Sequence, residues 1–81
     1  MDPSVLDMED LVDADTFMAE TMGRTLRKAR ETASLTQAQL AKKLRKSQAM
    51  VSAAERGTTV VGTRYVKAVL KACRLPEDWR P

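Results

Sequence analysis

The chain has 81 residues, enough for one small domain whose modest core leaves much of its stability to well-made helices. Fourteen Lys and Arg stand against eleven Asp and Glu, but unevenly: residues 1–20 carry seven acidic side chains and no basic one, leaving 14 basic against 4 acidic, or +10, from Thr21 onward. With no His and one Cys there is no zinc constellation, Cys–His pair or hydrolytic triad, and no Gly-rich phosphate loop, so neither an enzyme nor a metal or other cofactor is expected.

The opening MDPSVLDMED has no positive n-region and no apolar run of signal-peptide length. Nowhere do about 18 apolar residues occur together, so the expectation is a soluble, cytoplasmic protein without a membrane partner. Residues 1–14 form an acidic arm. In it Val5, Leu6, Met8, Leu11 and Val12 interleave with Asp7, Glu9, Asp10 and Asp13, the composition of an amphipathic segment that is disordered alone and helical on a partner. Three roles fit: packing across a dimer interface, binding another protein such as a toxin or an activator, or folding back on the chain's own basic face. A solubilising tail fits as well.

Residues 15–81 read as one domain. A first helix is expected over about 16–33, with Asp15 or Thr16 as N-cap and Ser34 at its end. Phe17, Met22, Leu26, Ala29 and Ala33 share one face, while Arg24, Arg27 and Lys28 point elsewhere. Thr36-Gln-Ala-Gln39 then spells a capping box at the start of a second helix, 36–44, with Leu40, Ala41 and Leu44 inward. Ser47 is the N-cap of a third, 47–56, which buries Val51 and Ala54 and stops at Gly57. After the polar and β-branched loop 58–62, a fourth helix over about 63–74 carries Val66, Val69, Leu70 and Cys73 inward. That register makes Cys73 core filler rather than a nucleophile. A Pro-initiated turn at 76–79 brings Leu75 and Trp79 back onto the core. The fold class is therefore all-α, a compact bundle of four helices with a possible fifth short turn.

Two short helices joined by about three or four residues, the second led by small polar side chains, match the arrangement that lays a helix N-terminus into the major groove of DNA. On the second of them Gln48, Ala49, Ser52 and Ala53 are the outward positions; Gln can pair bidentately with adenine, and an Ala methyl can pack on that of thymine. Gln37 can give its amide to a phosphate at the start of the preceding helix. Lys42, Lys43, Arg45 and Lys46 crowd the turn where the duplex backbone would run. The competing reading is an ordinary helix hairpin with Gln48 and Ser52 facing solvent.

The run Leu35-Thr36-Gln37, Leu40-Ala41, Leu44, Ser47-Gln48, Val51-Ser52 and Glu55-Arg56-Gly57 resembles the Cro/C1-type (XRE) helix-turn-helix domain of phage repressors over about residues 21–79. The resemblance implies a lambda-repressor-like, five-helix, all-α domain that binds double-stranded operator DNA as a homodimer. It also implies that Gln48 reads a base, with Ala49, Met50 and Ser52 at further reading or groove-lining positions. Gln37 would contact phosphate and brace the reading helix, with Lys43, Arg45, Lys46, Ser47, Arg56 and Thr58 as further phosphate-binding candidates. Arg30 of the first helix would pair with Glu55; a buried pair is preferred over an exposed one contributing under ~1 kcal/mol. Two residues depart from the family pattern. Arg45 stands where it usually has Gly in the turn, and Met50 where it often has a small polar residue; Met50 could touch a thymine methyl, a partner subunit, or nothing.

The function expected is a sequence-specific transcriptional regulator, a repressor that reads a palindromic operator through helix 47–56. The alternative is a protein-interaction module, an antitoxin or antiactivator, that captures a protein partner through residues 1–14.

Overall fold

The computed structural model describes residues 14–81, with side chains from Met18 onward. The arm and the expected inward position of Phe17 lie outside the described side chains. Four helices occupy the described chain: α1 (Ala14–Thr32), α2 (Gln37–Leu44), α3 (Gln48–Arg56) and α4 (Thr63–Ala72). Residues 76–79 make a single turn, closed by the Trp79 amide on the Pro76 carbonyl at 3.0 Å, and not a fifth helix. The fold is a compact all-α four-helix bundle.

Helix α1 is under way by Ala14, so Asp15 and Thr16 lie inside it and neither is its N-cap. At the other end α4 stops at Ala72, short of Arg74, because Arg74 takes φ +60.

All four helices end in the same way. Ser34 (φ 59), Arg45 (φ 58), Gly57 (φ 74) and Arg74 (φ 60) each turn left-handed just past the last helical turn. In each case the next amide reaches back to a carbonyl five residues earlier: Leu35 to Arg30, Lys46 to Ala41, Thr58 to Ala53 and Leu75 to Leu70, at 2.8–3.1 Å. These paired bonds are Schellman caps, and they satisfy carbonyls that the helix itself leaves open. Three of the four use a residue with a Cβ, which makes the conformation costlier than it would be for glycine.

The starts are capped by side chains where the sequence has hydroxyls. Thr36 Oγ1 accepts from the Gln39 amide at 3.0 Å while Gln39 Oε1 accepts from the Thr36 amide at 2.9 Å, a complete capping box. Ser47 Oγ accepts from the Met50 amide at 3.1 Å. Gly62, preceding α4, has no side chain to offer.

The core is one cluster drawn from every helix: Leu26 and Ala29 of α1, Leu40 and Ala41 of α2, Val51 and Ala54 of α3, and Val69 and Leu70 of α4 with Cys73 behind them. Fully burying a side chain such as Leu40 or Val51 contributes about 1.5–3 kcal/mol. Met22, Ala33, Leu35, Leu44, Val66, Leu75 and Trp79 pack around it, half-buried. The alanines matter for spacing, since each lets a neighbouring helix come close. Gly23 takes this furthest: buried in α1, it faces the backbone of Ala54 and Glu55 so closely that no Cβ would fit.

Candidate nucleic-acid interface

The turn between α2 and α3 is short because Arg45 reverses the chain and Ser47 restarts it, leaving Arg45, Lys46 and Ser47 as the connection. Lys42, Lys43, Arg45 and Lys46 are all exposed there, and none of them is paired with a described carboxylate. Beyond the turn Gln48 and Ala49 are exposed and Met50 is half-buried. The Met50 amide is taken by Ser47, while the first-turn amides of Gln48 and Ala49 have no acceptor within the helix and face outward with its positive dipole end.

Further along α3 the expected surface is partly engaged with itself. Arg56 Nη1 donates to Ser52 Oγ, joining a base-reading candidate to a phosphate-binding candidate one turn away. Ala53 is half-buried rather than outward, and its carbonyl accepts both the amide and the hydroxyl of Thr58, at 3.0 and 3.2 Å. The Thr58 hydroxyl proton is thereby committed to capping α3.

What holds α3 in place is a polar cluster behind it. Arg30 Nε donates to Glu55 Oε2 at 2.6 Å and Nη2 to Oε1 at 2.9 Å, a bidentate fork between α1 and α3. Nη1 of the same guanidinium donates to the Leu35 carbonyl at 2.8 Å, tying in the α1–α2 turn. Gln37 Nε2 completes the cluster with a 3.1 Å bond to Glu55 Oε1. The side chains of Arg30 and Glu55 retain 13% and 4% of their exposure, so the pair is largely withdrawn from water. The hydrogen bond to Glu55 raises the Arg30 pKa against the opposing pull of burial. Burial, with the Glu55 charge adding to it, also raises the Tyr65 phenol.

Gln37 thus faces inward as a brace on α3, with one amide proton engaged by Glu55 and the other still available. Gly23 and the Leu35 carbonyl take part in positioning α3 and were not singled out from the sequence. A glycine in the middle of a 19-residue helix, where it costs about 1 kcal/mol relative to Ala, is the signal that marks a close packing contact.

A model of the family described as helix-turn-helix domain matches residues 21–81, three quarters of the chain. The chain belongs to the helix-turn-helix domain family. No curated protein was found to match it. In this helix-turn-helix domain the paired helices are α2 and α3, and the fold points to DNA-binding regulation. Among the described residues no His, Cys, Asp and Glu cluster could hold a metal ion, and no helix is long and apolar enough to cross a membrane.

Proposed function

We propose that this helix-turn-helix domain is a sequence-specific transcriptional regulator of the Cro/C1 (XRE) type, a cytoplasmic repressor that occupies a palindromic operator as a homodimer. The observation that carries the reading is the N-terminal turn of α3. It is exposed, led by an amide side chain and two open backbone amides, flanked by four lysines and arginines, and braced from behind by Arg30 and Glu55. Gln48 reads a base edge with Ala49 and Met50 beside it, and Lys43, Arg45, Lys46 and the free proton of Gln37 meet phosphates. Arg56, drawn toward Ser52, is placed to reach a phosphate and orient the Ser52 hydroxyl together. Rigid bracing makes the reading geometric, because a helix that rocked would lose bidentate pairing first.

Half-sites about one helical turn, ~34 Å, apart suit two such domains related by a twofold axis. The test is fluorescence anisotropy on the promoter fragment upstream of its own gene against a scrambled duplex at two salt concentrations. A preference of about 10³-fold or more supports specific readout; equal, steeply salt-dependent binding reduces the surface to a general polyanion site.

A second reading, capture of a protein partner as in an antitoxin or antiactivator, draws on the apolar-acidic arm and on Met18 and Val60, 65% and 74% exposed and lining one groove. A pull-down with and without nuclease separates the two, since a partner retained after nuclease does not depend on DNA.

A further inference from the structure

Helix α4 carries a second basic surface, which shares Lys43 with the basic turn. On one side of it an open groove of about 490 Å³ is lined by Lys43, Leu44, Ala68, Lys71, Ala72 and Arg74. On the other, a groove of about 390 Å³ runs along Arg64, Lys67, Ala68 and Lys71 to Leu75, Pro76 and Glu77. The two meet at Ala68 and Lys71, so the low methyl of Ala68 is the saddle between them. Together they present five exposed cations and one carboxylate over a floor of Leu44, Ala72, Leu75 and Pro76. A surface that is cationic at its rim and apolar at its floor selects a ligand with acidic and apolar groups in alternation, rather than a bare polyphosphate.

Such a ligand is present in the chain. Residues 1–13 contain Asp2, Asp7, Glu9, Asp10 and Asp13, five carboxylates and no cation, interleaved with Val5, Leu6, Met8, Leu11 and Val12. We infer that the α4 grooves are the docking site of the chain's own acidic arm, the carboxylates meeting Lys43, Arg64, Lys67, Lys71 and Arg74 and the apolar residues covering the floor. The attachment point permits it: the arm joins α1, which packs against α4, and Met18 and Ala19 near the start of α1 line a groove with Val60 and Val61, which lead into α4. Thirteen residues extended span at most about 43 Å. The apolar groove at Met18, Ala19, Met22, Thr59, Val60 and Val61 lies nearer along the chain but offers the carboxylates no cation. Because Lys43 belongs both to the groove and to the basic turn, a docked arm withdraws one cation from the phosphate-facing surface. That consequence rests on the proposed DNA reading; the docking itself does not.

The test uses the full chain without DNA. A nitroxide is attached at residue 8 in a Met8→Cys, Cys73→Ala background, and paramagnetic broadening of backbone amides is read in an NMR spectrum whose dispersion reports that the fold is kept. Docking gives broadening centred on Lys43, Ala68, Lys71 and Arg74. It disappears when the Debye length is cut to about 3 Å by 1 M salt, and in the Asp7→Asn, Glu9→Gln, Asp10→Asn, Asp13→Asn chain. Uniform weak broadening, or broadening centred on Met18 and Val60, overturns it. So does broadening seen only when a labelled chain is mixed with an isotope-labelled, unspun one, which would assign the groove to a second copy. A duplex titration of the arm-neutralised chain with and without Lys67→Glu, Lys71→Glu adds an independent reading. Non-additive effects support a shared site, and strictly additive losses make α4 a phosphate-contacting surface instead.

Discussion

Gly23 of α1 lies against the last turn of α3 so closely that a Cβ on it would stand 2.7 Å from the Ala54 carbonyl oxygen and nearer still to that of Glu55. The obstacle is backbone on both sides, which cannot rotate away as a side chain could. A glycine that weakens α1 as a helix therefore fixes how near α3 can approach, and with it the distance over which Arg30 reaches Glu55.

Gly23→Ala sets two effects against each other. Helix propensity favours the alanine by about 1 kcal/mol, but overpacking against fixed backbone costs about 1–3 kcal/mol. A net loss is expected, seen as a lower urea midpoint with an unchanged slope. Gly62→Ser, where a Cβ meets nothing within 4 Å and a hydroxyl can cap α4, is not expected to destabilise.

Removing either partner of the Arg30–Glu55 fork strands the other where little water reaches it. Glu55→Leu alone should cost about 3–5 kcal/mol, comparable with the whole stability of so small a domain. Combining it with Arg30→Leu should cost clearly less than the two single losses added together. Urea titration of the four chains of this cycle measures the coupling; additivity would show that the fork is screened and weak.

Arg45→Gly should act in opposite directions on stability and on DNA. Relieving the Cβ at φ 58 is expected to stabilise the fold by about 1 kcal/mol, because only the left-handed strain is removed while the Schellman bonds stay. Losing the guanidinium should weaken binding to every duplex and reduce the salt slope by about one unit. Thermal melts and anisotropy on the same sample check both signs.

Gln48→Ala is expected to cost ~1–3 kcal/mol on an operator and almost nothing on random DNA, relaxing the preference at one base position. Lys43→Ala should weaken both alike. Equal losses on the two duplexes for Gln48→Ala would remove it from base reading.

Cys73 is 5% exposed, and burial raises its thiol pKa, the nearby Arg30 charge opposing and Glu55 adding. A raised folded-state value means that the stability contribution is complete below the ordinary thiol pKa and falls as pH climbs through the folded one. Stability should therefore decline above about pH 9, with the raised Tyr65 phenol extending the loss at still higher pH. Arg30, shifted upward from an already high value, stays charged throughout that window. In Cys73→Ala the first part of the decline should vanish, and in the native chain the thiol should react with an alkylating reagent only on unfolding.

Much of this domain is written locally. The capping box of Thr36 and Gln39, the Ser47 cap and the Gly57 stop each depend on residues three to five apart, so their chemistry is complete within one turn of helix. The inward stripes of Leu40 and Ala41, Val51 and Ala54, and Val69, Leu70 and Cys73 follow from the 3.6-residue period. Where Asp15 and Thr16 suggested a cap, the signal was local too, but a continuing helix at Ala14 prevailed.

Other features required the helices to be assembled. Whether Gln37 faces a phosphate or Glu55 depends on a residue 18 positions away, and α2 and α3 bring that carboxylate to 3.1 Å. The Ser52 hydroxyl is held by Arg56 although both sit on the outward side of α3, and Thr58 closes the helix rather than standing free. The sequence by itself determined an all-α chain with its caps, its buried stripes and its division into an acidic arm and a basic body, because these rest on short-range periodicity and charge. Only the tertiary structure decided the crossing of α1 and α3 at Gly23, the cluster behind the reading helix and the two grooves of α4. Each of these depends on backbone distances between segments far apart in the chain, which no spacing along the sequence encodes.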